Sequence, residues 1–403
     1  MSQKNKDFFK KKKAWSKVKD ELLGCYLKPY MQKILYTKKP VIYVDCFAGK
    51  GKFEDGNPGS PIIALDIIEE CLDNTFSNNR CIFPFFIELN YSNDLCNNLS
   101  SYKNINIISG RYEEEILKLL EGKRECNVFL YIDPYGIKAL DCNLFDSFAQ
   151  NANFNSIELL INMNSFGFIR EGCRVLNVEF KNEDILDDLV EYDTAQMSSD
   201  EKSQNDLCRI AGGDYWIQII NEYKKDVISV YDAEALFAEE YCKRLRQSYR
   251  YVLNMPLRIK QGQLPKYRMI HATNHSDGCI LMADNICGRW ELMRDIQTNG
   301  QQMLWSVNAN NNEIVDEEEI RKKVVEHLCK IKINTRMNII LADFFTVYGV
   351  ICPTKMIKKI YKDLEKNGKI VVTRTPPFTE HTRKISTFFA DEKGKKTELR
   401  WNQ

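Results

Sequence analysis

The sequence predicts an α/β protein, in which a sheet of mainly parallel strands carries helices on its faces, followed by a smaller carboxyl-terminal domain. Short apolar runs recur at 41–44, 81–87, 127–132 and 156–161, as expected of strands that are buried on both faces. Segments with helical spacing of apolar residues separate these runs. An asparagine-rich linker around 308–312 then precedes a final segment of three helices and two strands.

The composition is that of an ordinary globular protein. Of the 403 residues, 57 are Lys or Arg and 56 are Asp or Glu, so the net charge of +1 does not indicate a polyanionic partner. The 14 cysteines include no C-x-x-C pair, which argues against a zinc ribbon or an iron–sulfur cluster. There is no signal peptide and no apolar run of about 18 residues, so we expect a cytoplasmic protein that does not span a membrane.

We expect three parts along the chain. Residues 1–13 form a basic arm, which is either a solvated tail or a contact for phosphates. Residues 14–307 form the α/β domain; it begins with a helix, or two because Pro29 should break or kink it. Within it, about 166–230 is an inserted helical region that could act as a lid over a substrate. Residues 313–403 form the last domain.

The first strand and the turn after it are the most informative stretch. The strand ends at Asp45 and is followed by the letters CFAGKG, and a helix is expected to begin near Ser60, with Pro61 in its first turn. Glycine lets the backbone turn tightly and approach a ligand closely. A ligand at this junction would also meet the positive end of a helix dipole.

Polar residues follow the next strands at the same edge of the sheet. Glu88 follows the second strand, where a carboxylate can accept both hydroxyls of a ribose; the alternative is a carboxylate at a helix amino terminus. A third strand, 105–108, leads to Gly110 and Arg111. The fourth leads to Asp133-Pro134-Tyr135-Gly136, which is either an ordinary turn or part of a site.

The end of the α/β domain is expected to close the sheet. The fifth strand leads to an Asn-Met-Asn-Ser stretch at the edge where ligands collect. An antiparallel hairpin, 249–258 with 267–273, should then complete the sheet. His271 and His275 are four apart but lie on a strand and the loop after it, so no zinc site is expected.

The Asp-x-Phe-Ala-Gly-x-Gly string resembles motif I of the class I S-adenosylmethionine-dependent methyltransferases, in which this turn holds the methionine part of the cofactor. A nicotinamide-type loop would carry a third glycine, and Glu54 stands there instead. The resemblance implies a Rossmann-like class I methyltransferase sheet and S-adenosylmethionine as the cofactor. The cofactor-binding residues it implies are Asp45, Phe47, Ala48, Gly49, Gly51, Glu88, Gly110, Arg111 and Asp133.

The turn after the fourth strand is similar to the Asp/Asn-Pro-Pro-Tyr/Phe motif of methyltransferases that act on exocyclic amines. That resemblance implies that Asp133 and the Pro134 carbonyl accept the hydrogens of the amine, and that Tyr135 stacks on the base. Tyr135 stands where the second proline would be, which leaves the target atom open. The first motif is also similar to that of ribosomal-RNA adenine-N6 methyltransferases, which favours a base in nucleic acid.

Over about residues 15–290 the chain resembles the three-Cys-motif partner (TcmP) proteins. The family name refers to a neighbouring protein with three clustered cysteines that resembles radical S-adenosylmethionine enzymes; this chain has no such cluster. The resemblance implies a methyltransferase-like domain and makes such a protein a candidate partner. It rests on Tyr26-Leu27, on 44–51, on Pro58-Gly59-Ser60-Pro61, on 132–136, on Gly213-Asp214-Tyr215-Trp216 and on 271–282.

The last domain resembles a winged helix. Three helices, at 317–329, 339–347 and 354–366, are followed by strands at 369–374 and 386–390. Its third helix and wing are basic, which suits the phosphates of a duplex; the alternative is a solvated lysine face on a protein-interaction module. The predicted nucleic-acid contacts are Lys355, Lys358, Lys359, Lys362, Arg374 and Arg383.

Together these features predict an S-adenosylmethionine-dependent methyltransferase of a base amino group in DNA or RNA, adenine N6-like, that works with a partner protein. The alternative is a non-catalytic subunit that senses the cofactor or binds nucleic acid as the partner of a radical-S-adenosylmethionine-like enzyme. A small-molecule methyltransferase is a third hypothesis, against which the basic last domain argues.

Overall fold

The computed structural model describes residues 9–10, 12, 14–73, 81–151, 153–180, 201–257, 265, 267–297, 316–379, 383–392 and 394–402. The chain divides into two compact units, Met1–Asn274 with Glu291–Gln302, and His275–Trp290 with Met303–Gln403. The division assigns 275–290 to the second unit, whereas the domain boundaries predicted from the sequence place these residues in the first. No helix in the described ranges is long and apolar enough to cross a membrane.

The first unit is a seven-stranded, Rossmann-like sheet with helices between its strands. The strand order is β3-β2-β1-β4-β5-β7-β6, in which β1 to β5 pair in parallel and β7 pairs antiparallel with both β5 and β6. The strands are β1 (Val41–Asp45), β2 (Ile82–Glu88), β3 (Asn106–Ser109), β4 (Asn127–Ile132), β5 (Ser156–Met163), β6 (Tyr251–Leu257) and β7 (Tyr267–Thr273). This arrangement confirms the predicted parallel sheet and the hairpin that closes it.

The helices of this unit follow the predicted pattern. They are α1 (Ala14–Ile34), α2 (Ser60–Asp73), α3 (Ser92–Asn98), α4 (Tyr112–Leu120), α5 (Cys142–Ala149), α6 (Ser165–Val175), α7 (Glu201–Ala211), α8 (Tyr215–Lys224) and α9 (Val230–Leu245). Helix α10 (Ser276–Gln297) follows β7. Helices α6 to α8 occupy the described part of the predicted insertion. The acidic segment 181–200, Arg258 at the end of the predicted hairpin, and most of the basic arm lie outside the described residues.

The position of the site follows from the topology. Strands β1, β4 and β5 are buried along their whole length, because helices cover both faces of the sheet. Strand β1 pairs with β2 on one side and with β4 on the other. The chain therefore runs outward in both directions from the β1–β4 pair, and the carboxyl ends of these strands border a crevice of the kind that binds ligands in open α/β sheets.

Of the two alternatives for this segment, the structure shows one helix: α1 contains Pro29 and is not broken by it. A proline inside a helix removes one backbone hydrogen bond and costs about 3 kcal/mol. The burial of apolar side chains before and after Pro29 in the helix offsets this cost. These side chains are at most 3% exposed: Tyr26, Leu27, Tyr30 and Met31.

Besides the part of α10 up to Trp290, the described residues of the second unit form three helices and a small antiparallel sheet. Its elements are α11 (Glu317–Leu328), β8 (Thr335–Arg336), α12 (Met337–Tyr348), α13 (Thr354–Lys366), β9 (Ile370–Thr375) and β10 (Lys396–Trp401), and the strand order is β8-β10-β9. The predicted order of three helices and a hairpin is present; its identification as a winged helix stays a prediction.

The prediction of a strand at 386–390 was wrong, because the partner of β9 is β10. The apolar residues near 386–390 belong to the long loop before β10. The true strand alternates, with Thr397 and Leu399 fully buried and polar residues between them, which is the pattern of a half-buried strand.

Candidate functional site

A cleft that is open to solvent lies at the carboxyl ends of β1, β4 and β5. The predicted residues Phe47, Ala48, Gly49 and Gly51 line it on one side, and the predicted turn 133–135 lines it on another. The remaining lining residues are Phe9, Ser16, Lys19, Asp20, Lys52, Phe53, Gly59, Ser60, Asn162 and Tyr267. Two motifs that lie more than 80 residues apart in the sequence thus meet at one opening, as their positions after neighbouring parallel strands predict.

The glycine turn has a backbone that favours glycine at two positions. Gly49 and Gly51 have φ values of 60° and 76°, in the left-handed region that residues with a Cβ rarely adopt. A Cβ on Gly51 would lie 2.9 Å from Leu95 Cδ1, and a Cβ on Gly49 would lie 3.2 Å from the ring of Phe9. The turn is therefore closely packed on both sides.

Asp45 lies beneath this turn and does not line the cleft. Its carboxylate accepts hydrogen bonds from Ser60 Oγ at 2.6 Å and from the Phe47 amide at 3.2 Å. The side chain is fully buried, and burial raises the pKa of the Asp45 carboxyl to about 7, although both hydrogen bonds lower it. Asp45 thus joins the turn to the start of α2.

The pKa of Asp45 predicts a pH dependence of stability. Between the usual carboxyl pKa near 3.8 and the folded pKa near 7, the folded state holds a proton that the unfolded state has lost. The free energy of unfolding should therefore fall as the pH rises from about 5 to about 7, by on the order of 2 kcal/mol, and level off above that.

Urea unfolding of the wild type and of Asp45→Asn, measured at each pH, tests this prediction. The asparagine variant lacks the titrating group, so its stability relative to the wild type should increase with pH up to about 7. A difference between the two proteins that does not change with pH would show that Asp45 is ionised in the folded protein at all these values.

Glu88 also holds the turn in place. One carboxylate oxygen accepts the Gly49 amide at 2.8 Å, and the other accepts the amides of Asn90 and Tyr91 at 2.8 and 3.1 Å. The residue is 4% exposed and is not among those that line the cleft. Its carboxylate is therefore committed to backbone amides in this structure, and its ribose-binding role stays a prediction.

Gly110 and Arg111 also lie away from the cleft lining. The Gly110 amide donates to the Glu88 carbonyl at 3.3 Å, and a Cβ on Gly110 would meet the Glu115 side chain. Arg111 is exposed at the start of α4. The structure thus brings together the residues predicted for the methionine end of the cofactor and the catalytic turn, but not those predicted for its adenine.

Three groups hold the carboxylate of Asp133. Lys19 Nζ donates to one oxygen at 2.7 Å, and Asn162 Nδ2 donates to the other at 2.6 Å. The Tyr131 hydroxyl donates to the same oxygen as Lys19 at 3.3 Å. All three are donors, so the carboxylate oxygens act as hydrogen-bond acceptors and keep further lone pairs that can accept. Pro134 and Tyr135 follow at the cleft, and Tyr135 is 39% exposed.

The sequence analysis did not assign Lys19 and Asn162 to the site, although the position of each in the sequence pattern was informative. Lys19 falls on the apolar stripe of α1 that contains Val18, Leu22 and Tyr26, and a lysine on a buried face needs an anionic partner. It is 8% exposed. Asn162 follows the fifth strand, at the edge where ligands collect. It is 2% exposed, and its Oδ1 has no hydrogen-bond partner among the described residues.

A second feature that the sequence did not reveal is Phe9, which covers the glycine turn. The ring is 6% exposed and packs on Gly49, with the ring of Tyr91 at 5.1 Å and Lys50 Nζ at 5.2 Å from its centroid. Its carbonyl accepts the Glu54 amide at 2.8 Å. This part of the basic arm is therefore docked on the cleft.

His271 is a buried core residue that lies beside a carboxylate. Its Nε2 lies 3.1 Å from a carboxylate oxygen of Glu158, which also accepts a hydrogen bond from Tyr26. Within the described residues there is no group of three or more His, Cys, Asp or Glu side chains that could hold a metal ion.

The predicted nucleic-acid contacts of the second unit differ in their surroundings. Lys355 and Lys362 are exposed on α13 and Lys358 is half-buried. Lys359 pairs with Glu317 at 2.8 Å.

Arg374 is not free to contact a phosphate. It is engaged by both oxygens of Glu365 at 2.6 and 2.7 Å and by the Phe388 carbonyl at 2.8 Å, and its side chain is 8% exposed. Arg383 is exposed in the loop before β10.

Comparison with known proteins finds no matching family model and no matching curated protein. A solved structure that aligns with the chain is that of the plantazolicin methyltransferase BamL in complex with a triazolic desmethylPZN analog and SAH. It is 11% identical, the alignment covers 64% of this chain and 86% of that chain, and the TM-score is 0.29. A similarity this low says nothing about the function of this chain.

Proposed function

We propose that the first unit is an S-adenosylmethionine-dependent methyltransferase that acts on an amino group of a base in nucleic acid. One observation carries the proposal: the glycine turn 47–51 and the turn 133–135 line the same cleft. A cleft that holds a methyl donor beside a carboxylate with free acceptor capacity is what transfer to an amine requires.

The cofactor would supply a methyl group on a sulfonium, and the chain's own residues position the acceptor. Asp133 and the Pro134 carbonyl accept the hydrogens of the amine, which orients its lone pair toward the methyl group, and the exposed ring of Tyr135 stacks on the base. Lys19 and Asn162 keep Asp133 an acceptor. Because the transfer is an in-line displacement, positioning supplies most of the rate.

The charges of the cleft suit the amino-acid end of such a cofactor. Lys19 offers a cation for its carboxylate, and Asp20 offers an anion for its ammonium group. Binding of the nucleoside end of the cofactor requires two contacts of the protein to change. The ring of Phe9 must leave Gly49, and Glu88 must exchange its bond to the Gly49 amide for bonds to the ribose.

Phe9→Ser is therefore expected to strengthen the binding of S-adenosylhomocysteine by about 30-fold. In the wild type, the cofactor must displace a ring whose burial is worth about 2 kcal/mol, and in the variant this competition is absent. Isothermal titration calorimetry on the full chain measures the change. Phe378→Ser, which alters an exposed ring in the second unit, is the matched control. Weaker binding by Phe9→Ser alone would show that Phe9 contacts the cofactor instead of competing with it.

Incubation of the full chain with methyl-labelled cofactor and total DNA or RNA, followed by nucleoside mass spectrometry, tests the proposed activity. We expect the label on an exocyclic amine of a base, adenine N6 first. Label on a ring carbon, on a ring nitrogen or on protein would contradict the roles of Asp133 and Pro134.

A second candidate function is a non-catalytic subunit that senses the cofactor or binds nucleic acid beside a three-Cys-motif, radical-S-adenosylmethionine-like protein. Two observations favour it: Phe9 covers the glycine turn, and Tyr135 stands in place of a second proline. S-adenosylhomocysteine binding without methyl transfer to any nucleic acid would support this alternative and would fit membership of the TcmP family.

A further inference from the structure

The loop between β9 and β10 presents an apolar pair to solvent. Phe378 is 55% exposed and Ile385 is 74% exposed. The two residues form an antiparallel bridge, and directly opposed residues of antiparallel segments project their side chains from the same face. The pair is therefore one continuous apolar surface, which we call the loop tip.

The conformation of the loop tip is held by its own hydrogen bonds. The Thr379 amide donates to the Lys384 carbonyl at 2.9 Å, and the Ser386 amide donates to the Pro377 carbonyl at 2.8 Å. Ser386, next to Ile385, is 1% exposed. Ile385 is thus exposed although Ser386, the residue after it, is buried.

Two exposed cations are next to the loop tip in the sequence. Arg383 and Lys384 are exposed within the same loop, and no ion pair with a described carboxylate involves either of them. Lys355 and Lys362 on α13, the helix that directly precedes β9, are also exposed, and no described carboxylate pairs with them. An apolar surface beside exposed cations complements a polyanion that also offers apolar faces.

We propose that the loop tip stacks on unpaired bases of nucleic acid, with Phe378 as the stacking ring and Arg383 and Lys384 on the adjoining phosphates. The proposal deepens the proposed function, on which it rests, by naming the substrate class as nucleic acid with unstacked bases. Every base has a π-face, so stacking of this kind tolerates any sequence, and the cations follow the backbone. An enzyme that modifies a base amine needs such an accessible base.

The test compares binding of full-chain variants to a fluorescent oligothymidylate of about 20 nucleotides and to a duplex of the same length. Phe378→Ser and Ile385→Ser remove the apolar pair. Val347→Ser is the matched control, because Val347 is a 63%-exposed apolar residue of the same unit outside this loop. Arg383→Gln with Lys384→Gln removes the two exposed charges that are assigned to the phosphates.

Stacking and charge contacts have different salt signatures. Phe378→Ser should weaken binding to the single strand about tenfold, close to 1.4 kcal/mol, without changing the slope of log affinity against log salt. The variant that lacks both charges, Arg383→Gln with Lys384→Gln, should flatten that slope by about 1.4, since each phosphate contact on a single strand contributes about 0.7. Val347→Ser should bind as the wild type does.

Three outcomes would overturn the proposal: Phe378→Ser binding the single strand as tightly as the control, an equal loss on the duplex, or a loss with an altered salt slope. A wild type that binds neither nucleic acid but does bind vesicles of anionic lipid would also overturn it. That last outcome would contradict the nucleic-acid part of the proposed function as well, whereas the first three leave the methyltransferase proposal standing.

Discussion

Replacing Asp133 with alanine is expected to lower the rate of methyl transfer by about 10²- to 10³-fold, with little change in the affinity for S-adenosylhomocysteine. The variant loses the acceptor that orients the amine, and loss of one such positioned group typically costs a factor of 10² to 10³. It also leaves Lys19 and Asn162 without the carboxylate that they hold. Initial rates with labelled cofactor and calorimetry on the same preparations separate catalysis from binding.

The asparagine variant sharpens this test. Asp133→Asn keeps one acceptor oxygen, so it should retain more activity than the alanine variant. Asp66→Ala removes an exposed carboxylate on α2 and should behave as the wild type. Transfer by Asp133→Ala within about tenfold of the wild-type rate would remove Asp133 from the mechanism.

Replacing Glu88 with alanine is expected to lower the free energy of unfolding by about 3 kcal/mol and to abolish measurable cofactor binding. The carboxylate accepts three backbone amides, from Gly49, Asn90 and Tyr91. Buried donors left without an acceptor cost about 1–3 kcal/mol each, and the partial exposure of this loop region keeps the total at the lower end. Urea unfolding and calorimetry measure the two effects.

Glu88→Gln keeps one acceptor oxygen and should show an intermediate loss of stability. Glu69→Ala, at an exposed position of α2, should change neither quantity. If Glu88→Ala unfolds at the wild-type urea concentration and still binds the cofactor, Glu88 neither supports the turn nor contacts the ribose.

The sequence predicted the sheet well, because buried strands leave a strong local signal. Strands β1 and β4 and helix α13 have the bounds expected from their apolar patterns. The sequence also predicted that Gly49 and Asp133 lie at the same edge of the sheet, because each follows one of two neighbouring parallel strands. Both residues line the cleft. Where the pattern was ambiguous, as in the loop before β10, the strand was misplaced.

The partners of the site residues could not be predicted in the same way. Lys19 and Asp133 are 114 residues apart, and only the packing of α1 against the sheet brings them together. Phe9 lies in a lysine-rich segment whose composition indicates a solvated arm, and its docking on Gly49 depends on tertiary contacts alone. Arg374 was predicted to contact phosphates because the sequence does not show its ion pair with Glu365. That pair forms only when β9 packs beside α13.

The most direct test of the account is a crystal structure of the full chain with S-adenosylhomocysteine. We expect the sulfur atom in the cleft between Gly49 and Asp133, the ribose hydroxyls on Glu88, and the Phe9 ring displaced from the glycine turn. A ligand that binds elsewhere while Phe9 remains packed on Gly49 would contradict the account.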